Sequence, residues 1–128
     1  MSIIYPTRDE ILEITHAACG FEPIVGDEGL LEAAIARPQA SVFGKDAYPS
    51  VFDKSAALMH SLAKNYAFVD GNKRAAWNCT WFMLGMNHLQ IAAHIDAQDA
   101  YAFVIAVATS DMDWRKVSEG LTRFAELC

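Results

Sequence analysis

The residues best suited to do chemistry lie in one short segment, Asp70-Gly71-Asn72-Lys73-Arg74. The segment stands directly before an apolar stretch with helical spacing, so we expect it at the start of a helix. The first N–H groups of a helix have no partner within the helix, and the helix dipole is positive there. Such a terminus binds anions, and phosphate above all.

The side chains of this segment suit a phosphate group and a metal ion. Gly71 allows unusual backbone dihedral angles and a close approach of phosphate, whereas Asn72 either orients the loop or donates to a phosphate. Lys73 and Arg74 add two positive charges, and an arginine guanidinium grips two phosphate oxygens at once. Asp70 offers a carboxylate for Mg²⁺, which proteins hold with one or two carboxylates together with substrate phosphates.

The local charge differs in sign from that of the whole chain. Residues 64–74 include three cations, Lys64, Lys73 and Arg74, against Asp70, while the full sequence has a net charge of -6. A basic pocket on an acidic protein predicts a discrete anionic ligand, and it argues against direct nucleic-acid binding, which needs a broad basic face. The alternative is that the segment is only a solvated polar turn, because short motifs also occur by chance.

Helical periodicity predicts the elements that come before this segment. A capping box of Thr7 and Glu10 predicts a first helix that ends at Gly20. A second helix is predicted to start near Asp27, and Pro38 limits it.

Residues 39–49 are predicted to form a loop or irregular turns. A capping box of Ser50 and Asp53 then predicts a helix that continues to Tyr66. The spacing places Tyr66 on one apolar stripe with Leu62, so we expect its side chain to point inward.

The segment is followed by a helix over about residues 72–87 that is apolar on nearly all sides, which predicts a central buried helix. Two more helices are predicted, over 96–108 and over 114–124. Alternating strand patterns are scarce, and residues 89–95 form only a weak strand candidate. We therefore predict an all-α fold, a compact helical bundle with residues 1–128 as a single domain.

The remaining composition narrows the cellular setting. The chain has 128 residues, of which 53% are hydrophobic and 20% charged, which is enough for a real core. Cys19, Cys79 and Cys128 are odd in number and scattered, which favours a reducing cytoplasm over a disulfide framework. Neither a signal peptide nor an apolar run of ~18 residues is found, so we expect no membrane partner.

Residues 66–74 resemble the motif of the Fic/Doc family, His-x-Phe-x-Asp/Glu-Gly/Ala-Asn-Gly/Lys-Arg between two core helices. Phe68 and the segment 70–74 are in register with it. Lys73, where nucleotide-transferring Fic enzymes usually have glycine, is typical of the Doc branch, and residues 31–40 also resemble Doc-like chains. The resemblance implies a Fic/Doc helical bundle with one Fic/Doc domain.

The resemblance also implies an activity. Doc-type toxins act as protein kinases that move the γ-phosphate of a nucleoside triphosphate such as ATP to a threonine hydroxyl of elongation factor Tu, which stops translation. Fic relatives transfer the nucleotide part instead. By this likeness Asp70 meets Mg²⁺, and Asn72, Lys73 and Arg74 hold phosphates. Gly71 permits the geometry of the loop.

Two long apolar helices flank the loop, and Phe68 is predicted to anchor it to the core between them. The resemblance further implies that a Phd-type antitoxin encoded alongside covers the site.

The sequence departs from the family at Tyr66, which replaces the histidine that acts on the attacking hydroxyl as a base. A free tyrosine hydroxyl has a pKa near ~10, against ~6.5 for histidine, and general-base help is worth ~10² to 10⁴-fold. Tyr66 is then an inactivating change, the mark of a natural pseudoenzyme, or a working residue whose phenolate nearby cations favour. The rival functions are a nucleotidyltransferase of the AMP-transferring type and a non-catalytic module that binds nucleotide or antitoxin.

Overall fold

The computed structural model describes residues 2–128, and within them helices dominate, which confirms the all-α prediction. The helices are α1 (Arg8–Cys19), α2 (Glu28–Ala36), α3 (Val51–Lys64), α4 (Asn72–Met86), α5 (Ala97–Thr109) and α6 (Trp114–Phe124), with a 3₁₀ turn at Arg37–Gln39. The strands are β1 (Ser41–Val42), β2 (Lys45–Asp46), β3 (Leu89–Ile91) and β4 (Ala125–Leu127). No helix in this part of the chain has the length and hydropathy to cross a membrane.

The helix boundaries follow the capping residues. Thr7 accepts a hydrogen bond from the Glu10 N–H at 3.2 Å, and Glu10 accepts one from the Thr7 N–H at 2.9 Å. Helix α1 ends at Gly20, which adopts a left-handed conformation with φ of 77°. Ser50 and Asp53 form the same reciprocal pair at the start of α3. Both predicted capping boxes are thus confirmed.

Helix α3 is the element surrounded on the most sides. It packs against α2, the 3₁₀ turn, α4, α5 and α6, and nearly every residue from Lys54 to Ala63 is buried. Helix α4 packs on α3 and α1 with one face, but Lys73, Arg74 and Asn78 are exposed. The predicted all-round burial of α4 is therefore correct for one face only.

Two small antiparallel sheets interrupt the helices. Residues 39–49, predicted as irregular, contain the hairpin β1–β2, in which Ser41 pairs with Asp46. Strand β3 confirms part of the weak candidate at 89–95, and its partner is β4, with Leu89 opposite Leu127. Neither β4 nor the short hairpin was predicted, because strands of two or three residues have too little alternation to detect.

The base of the hairpin is fixed to the helical core. Lys54 on α3 is buried, and its Nζ donates to Asp46 Oδ2 at 3.0 Å. Arg37 in the 3₁₀ turn donates from Nε to the Tyr48 hydroxyl at 2.7 Å. A hairpin too short to be stable alone is thus held by polar side-chain contacts to α3 and the 3₁₀ turn.

Candidate active site

The loop between α3 and α4, residues 65–71, is held by the segment that precedes α2. The Val69 N–H donates to the Ile24 carbonyl at 2.9 Å, and the Gly26 N–H donates to the Ala67 carbonyl at 2.8 Å. These bonds form a minimal antiparallel pairing around the loop. They satisfy backbone groups that would otherwise be unpaired near the core.

The amide of Asn72 fixes the loop from the other side. Its Oδ1 accepts from the Phe68 N–H at 3.0 Å, and its Nδ2 donates to the Phe68 carbonyl at 2.9 Å. Asn72 is 9% exposed and Phe68 2% exposed, so this bracket lies inside the protein. Of the two roles predicted for the Asn72 side chain, the structure shows the loop-orienting one. A phosphate contact from this side chain stays a prediction.

Gly71 is the N-cap of α4 and has φ of +85°, where a side chain is strained. A Cβ at this position would lie 2.6 Å from Sγ of Cys19, at the end of α1. Only glycine therefore fits between the loop and α1. The loop therefore lies in close contact with the C-terminal end of α1.

Helix α4 begins without a side-chain cap, unlike the other α-helices within residues 2–128. The others are capped by Thr7, Asp27, Ser50, Asp96 and Asp113. The first hydrogen bond of α4 runs from the Ala75 N–H to the Gly71 carbonyl at 2.9 Å. The N–H groups of residues 72–74 therefore remain for an external acceptor, and a helix start of this kind is suited to bind an anion.

This helix start opens into a cleft of about 780 Å³. One side of the cleft is the loop and the first turns of α4, and the opposite side is apolar and belongs to β3, α5 and the segment between them. The cleft is lined by Tyr66, Val69, Asp70, Gly71, Asn72, Lys73, Arg74, Trp77, Asn78, Ile91, Ile95, Ala97, Ala100, Tyr101, Val104 and Ile105. All the predicted site residues except Phe68, the buried anchor, meet here.

Lys64 is absent from this lining, although it was counted among the cations of the pocket. Its Nζ donates to the Ser110 carbonyl at the end of α5. The last turn of α3 points Lys64 toward the α5–α6 connection, away from the cleft. The charges in the cleft are therefore Lys73, Arg74 and Asp70.

Asp70 is suited to a hard cation. Its Oδ1 accepts from the Gly71 N–H at 2.7 Å, which fixes the direction of the carboxylate, and the residue is exposed at the cleft. An exposed carboxylate beside an anion site fits Mg²⁺, which is commonly bound by one or two carboxylates together with substrate phosphates. The donor set therefore fits a magnesium–nucleotide complex better than a metal bound by the protein alone.

Tyr66 does not point inward, and that prediction is wrong. Helix α3 ends at Lys64, Asn65 is its C-cap, and Tyr66 adopts a left-handed conformation with φ of 52°. The chain therefore leaves the helix before the apolar stripe reaches Tyr66, whose side chain is 64% exposed and lines the cleft. It stands where the family motif has its base.

The apolar wall formed by α5 was not predicted as part of the site. Tyr101 is 66% exposed and lines the cleft with Ile105, whereas the sequence predicted only a helix here. Asn78 also lies exposed on the cleft, and its Nδ2 donates to the Arg74 carbonyl at 2.9 Å.

The thiol of Cys79, on α4, is not a nucleophile at neutral pH. Burial raises the pKa of Cys79 to about 12, and a hydrogen bond with Thr15 opposes this only in part. The thiol is therefore protonated at neutral pH and acts as a small apolar group between α1 and α4.

The mostly helical bundle and the glycine loop at the uncapped start of α4 agree with the Fic/Doc motif in the sequence. The sequence profile of the Fic/DOC family matches residues 5–84, so the chain belongs to that family. Its enzymes are transferases that use nucleoside triphosphates, usually with Mg²⁺.

One curated relative covers almost the whole chain. The chain is 48% identical over 121 residues to the protein named Toxin Doc from Mycolicibacterium smegmatis (strain ATCC 700084 / mc(2)155). The matched region spans 94% of this chain and 93% of that relative.

Proposed function

We propose that this protein is the toxin of a toxin–antitoxin module and, by ancestry, a protein kinase that acts in the cytoplasm. It transfers the γ-phosphate of ATP to a serine or threonine hydroxyl of elongation factor Tu, and Tyr66 impairs that transfer in this form. Two findings support the proposal: the relative named Toxin Doc, and Lys73 at the motif position that separates Doc from nucleotide-transferring Fic chains.

The observation that carries the proposal is the uncapped start of α4, which opens into the cleft beside Lys73 and Arg74. Free N–H groups and two cations on one side of a cleft suit the phosphates of a nucleotide. Arg74 grips two phosphate oxygens, Lys73 adds a point charge, and Gly71 lets the phosphate approach the backbone. Asn72 acts mainly by holding the loop through Phe68.

Asp70 holds Mg²⁺ in this proposal, and the ion supplies neutralisation of the phosphate charge. The hydrogen bond from the Gly71 N–H keeps the Asp70 carboxylate in place before the nucleotide arrives. Little reorganisation is then needed on binding, and such preorganisation is the main way proteins stabilise developing charge.

Tyr66 is the weak point of the site. A phenol is a poor proton acceptor at neutral pH, so the target hydroxyl lacks the base that the family histidine supplies, at a cost of ~10² to 10⁴-fold in rate. Other residues supply the groups that bind phosphate and Mg²⁺, so nucleotide binding does not depend on Tyr66.

The antitoxin of the proposed module is a Phd-type protein that covers the cleft. The exposed side chains of Tyr101 and Ile91 on the apolar wall suit a protein partner, because large apolar groups left in water are typical of interaction surfaces. The net charge of -6 disfavours direct contact with nucleic acid, and the proposal includes no membrane partner.

Two rival functions have observations in their favour. A nucleotidyltransferase would use the same loop and cleft, and Lys73 and the relative named Toxin Doc argue against it. A non-catalytic pseudoenzyme that binds nucleotide or antitoxin is favoured by Tyr66 itself.

The decisive experiment restores the base with Tyr66→His and uses Tyr66→Phe as a matched control that adds none. Each form is expressed without an antitoxin, then purified and incubated with elongation factor Tu, Mg²⁺ and either γ-labelled or α-labelled ATP. We expect growth arrest and γ-label on the factor with the histidine form only. Transfer of α-label would establish nucleotide transfer, and a histidine form inert in every assay would favour the pseudoenzyme.

A further inference from the structure

The Tyr66 hydroxyl stands in the same cleft as the phosphate-binding groups. Tyr66 is largely exposed, and it lines the cleft together with Asp70, Lys73 and Arg74. The backbone at Tyr66 is fixed on both sides, by the C-terminal end of α3 and by the bond from the Gly26 N–H to the Ala67 carbonyl. The backbone of Tyr66 is thus held beside the cleft, and its exposed side chain is accessible to a molecule bound there.

The chemical type of the residue matters as much as its position. Histidine at this position would receive a proton from an acceptor hydroxyl, whereas tyrosine itself has a hydroxyl that forms stable phosphate esters. A tyrosine side chain is also longer than histidine. From the same Cα it therefore brings its own oxygen toward the space that a substrate hydroxyl would occupy.

We infer that Tyr66 is a self-modification site, at which its hydroxyl accepts a phosphorus-containing group from a nucleoside triphosphate held at the start of α4. The inference rests on the proposed function, because it needs the nucleotide to bind there. Tyr66 Oη forms a bond to phosphorus, the bond from phosphorus to the leaving phosphate chain breaks, and the phenol proton passes to water.

The leaving group depends on which phosphorus is attacked. Attack at the γ-phosphorus releases the nucleoside diphosphate, and attack at the α-phosphorus releases diphosphate. Arg74 and Lys73 hold the negative charge that develops on either leaving group. The group that becomes attached to Tyr66 therefore shows whether the site of this protein favours phosphate transfer or nucleotide transfer.

The reaction is slow and happens once. No positioned base removes the phenol proton, so the general-base contribution of ~10² to 10⁴-fold is missing. Once attached, the group occupies the anion site and places new negative charge beside Asp70, which opposes binding of a second nucleotide. We therefore expect at most one group for each chain and no turnover.

The test incubates the full chain with Mg²⁺ and ATP labelled at either the γ or the α position, without any other protein, and follows intact mass and peptide maps. We expect one label, on the peptide that contains Tyr66. Tyr66→Phe removes only the hydroxyl oxygen from an exposed side chain and should abolish the label. Arg74→Ala should also abolish it by weakening the grip on the phosphates, at least tenfold in nucleotide affinity.

Two outcomes overturn the inference. One is an unlabelled chain, and the other is a label that persists in Tyr66→Phe and disappears in Tyr101→Phe, which would make Tyr101 the acceptor. Nucleotide binding, measured in parallel by calorimetry, separates this failure from failure of the proposed function. An unlabelled wild-type chain that binds Mg²⁺–ATP, beside a Tyr66→His form that labels elongation factor Tu, refutes only the self-modification.

Discussion

Tyr66 combines an unusual residue type with an unusual backbone. Its φ of 52° lies in the left-handed region, which histidine, asparagine and aspartate visit more readily than other residues with side chains. Phe43 and His88 also have positive φ, but of these residues only Tyr66 lines the cleft, at the position where the family motif has its base. Strained backbone is typical of functional sites. The loop geometry thus suits the motif histidine better than the tyrosine that occupies it.

Replacing Tyr66 by glycine should stabilise the protein. Glycine adopts the left-handed conformation without the clash of a Cβ, and the exposed tyrosine ring loses little packing, so we expect the free energy of unfolding to rise by about 1 kcal/mol. Denaturant unfolding measures the change. The matched control is Asn65→Gly, one residue earlier with φ of -98°, which should leave stability unchanged or lower it. An equal gain in stability in both variants would show that the left-handed backbone at Tyr66 is not strained.

At the scale of elements, the important unit is the junction between the loop and α4. Helix α4 has no side-chain cap, and its first residue uses its side chain to hold the preceding loop instead. The junction thereby gives up a stabilising cap, which elsewhere is worth about 1 kcal/mol, and leaves N–H groups free for a ligand. The two amides of α4 differ in their surroundings, since Asn72 is buried and bonds Phe68, whereas Asn78 is exposed on the cleft and bonds the Arg74 carbonyl.

These two amides make a matched pair of variants. Asn72→Ala leaves the buried N–H and carbonyl of Phe68 without partners, and we expect a loss of about 2 kcal/mol or more in stability. Asn78→Ala removes one bond to the Arg74 carbonyl at an exposed site and should cost less than about 0.5 kcal/mol. Thermal unfolding of both variants measures the difference. Equal losses would show that the bracket around Phe68 does not hold the loop.

At the scale of the whole molecule, one polar network joins three parts of the chain. Arg37 of the 3₁₀ turn places Nη1 at 2.9 Å from Nδ1 of His60 and at 3.1 Å from Oγ of Ser61. The hydroxyl of Tyr48 accepts from Nε of the same guanidinium. The 3₁₀ turn, α3 and the segment between the hairpin and α3 are thus joined through Arg37, and His60 is one of its partners.

This network makes stability depend on pH. Burial, with Arg37 and Lys64 nearby, lowers the pKa of His60 below its ordinary value of 6.5, although the Met112 carbonyl and Asp113 oppose the shift. The unfolded chain then binds the proton more readily than the folded chain does. The stability that neutral His60 contributes is complete above about pH 6.5. It is lost as pH falls below that value toward the lower pKa of His60 in the folded protein.

We expect the melting temperature to fall between about pH 7.5 and pH 5.5, through the titration range of histidine, and the fall to be smaller in His60→Gln. The control is His94→Gln, an exposed histidine in the turn after β3, which should keep the slope of the wild-type protein. Scanning calorimetry across this range measures both. A His60→Gln protein with the full wild-type slope would show that His60 is not the titrating group.

Local interactions explain which parts of the fold could be predicted. The capping boxes at Thr7 and Ser50, the stop at Gly20 and the extent of α4 all depend on residues three or four positions apart, and such pairs are visible in a linear sequence. The strands β1, β2 and β4 are too short for a detectable pattern. The pairing of β3 with β4 joins residues 36 positions apart in its central pair, Gln90 and Glu126.

The sequence alone therefore determined the helices, their caps and the identity of the segment Asp70–Arg74, because these follow from chemistry within a few residues. The tertiary structure decided where Tyr66 points, since the direction of its side chain depends on where α3 ends and on one left-handed residue. It also decided that α5 forms the opposite wall of the cleft and that Lys64 lies outside it. Those features depend on how distant helices pack, which no local pattern of residues specifies.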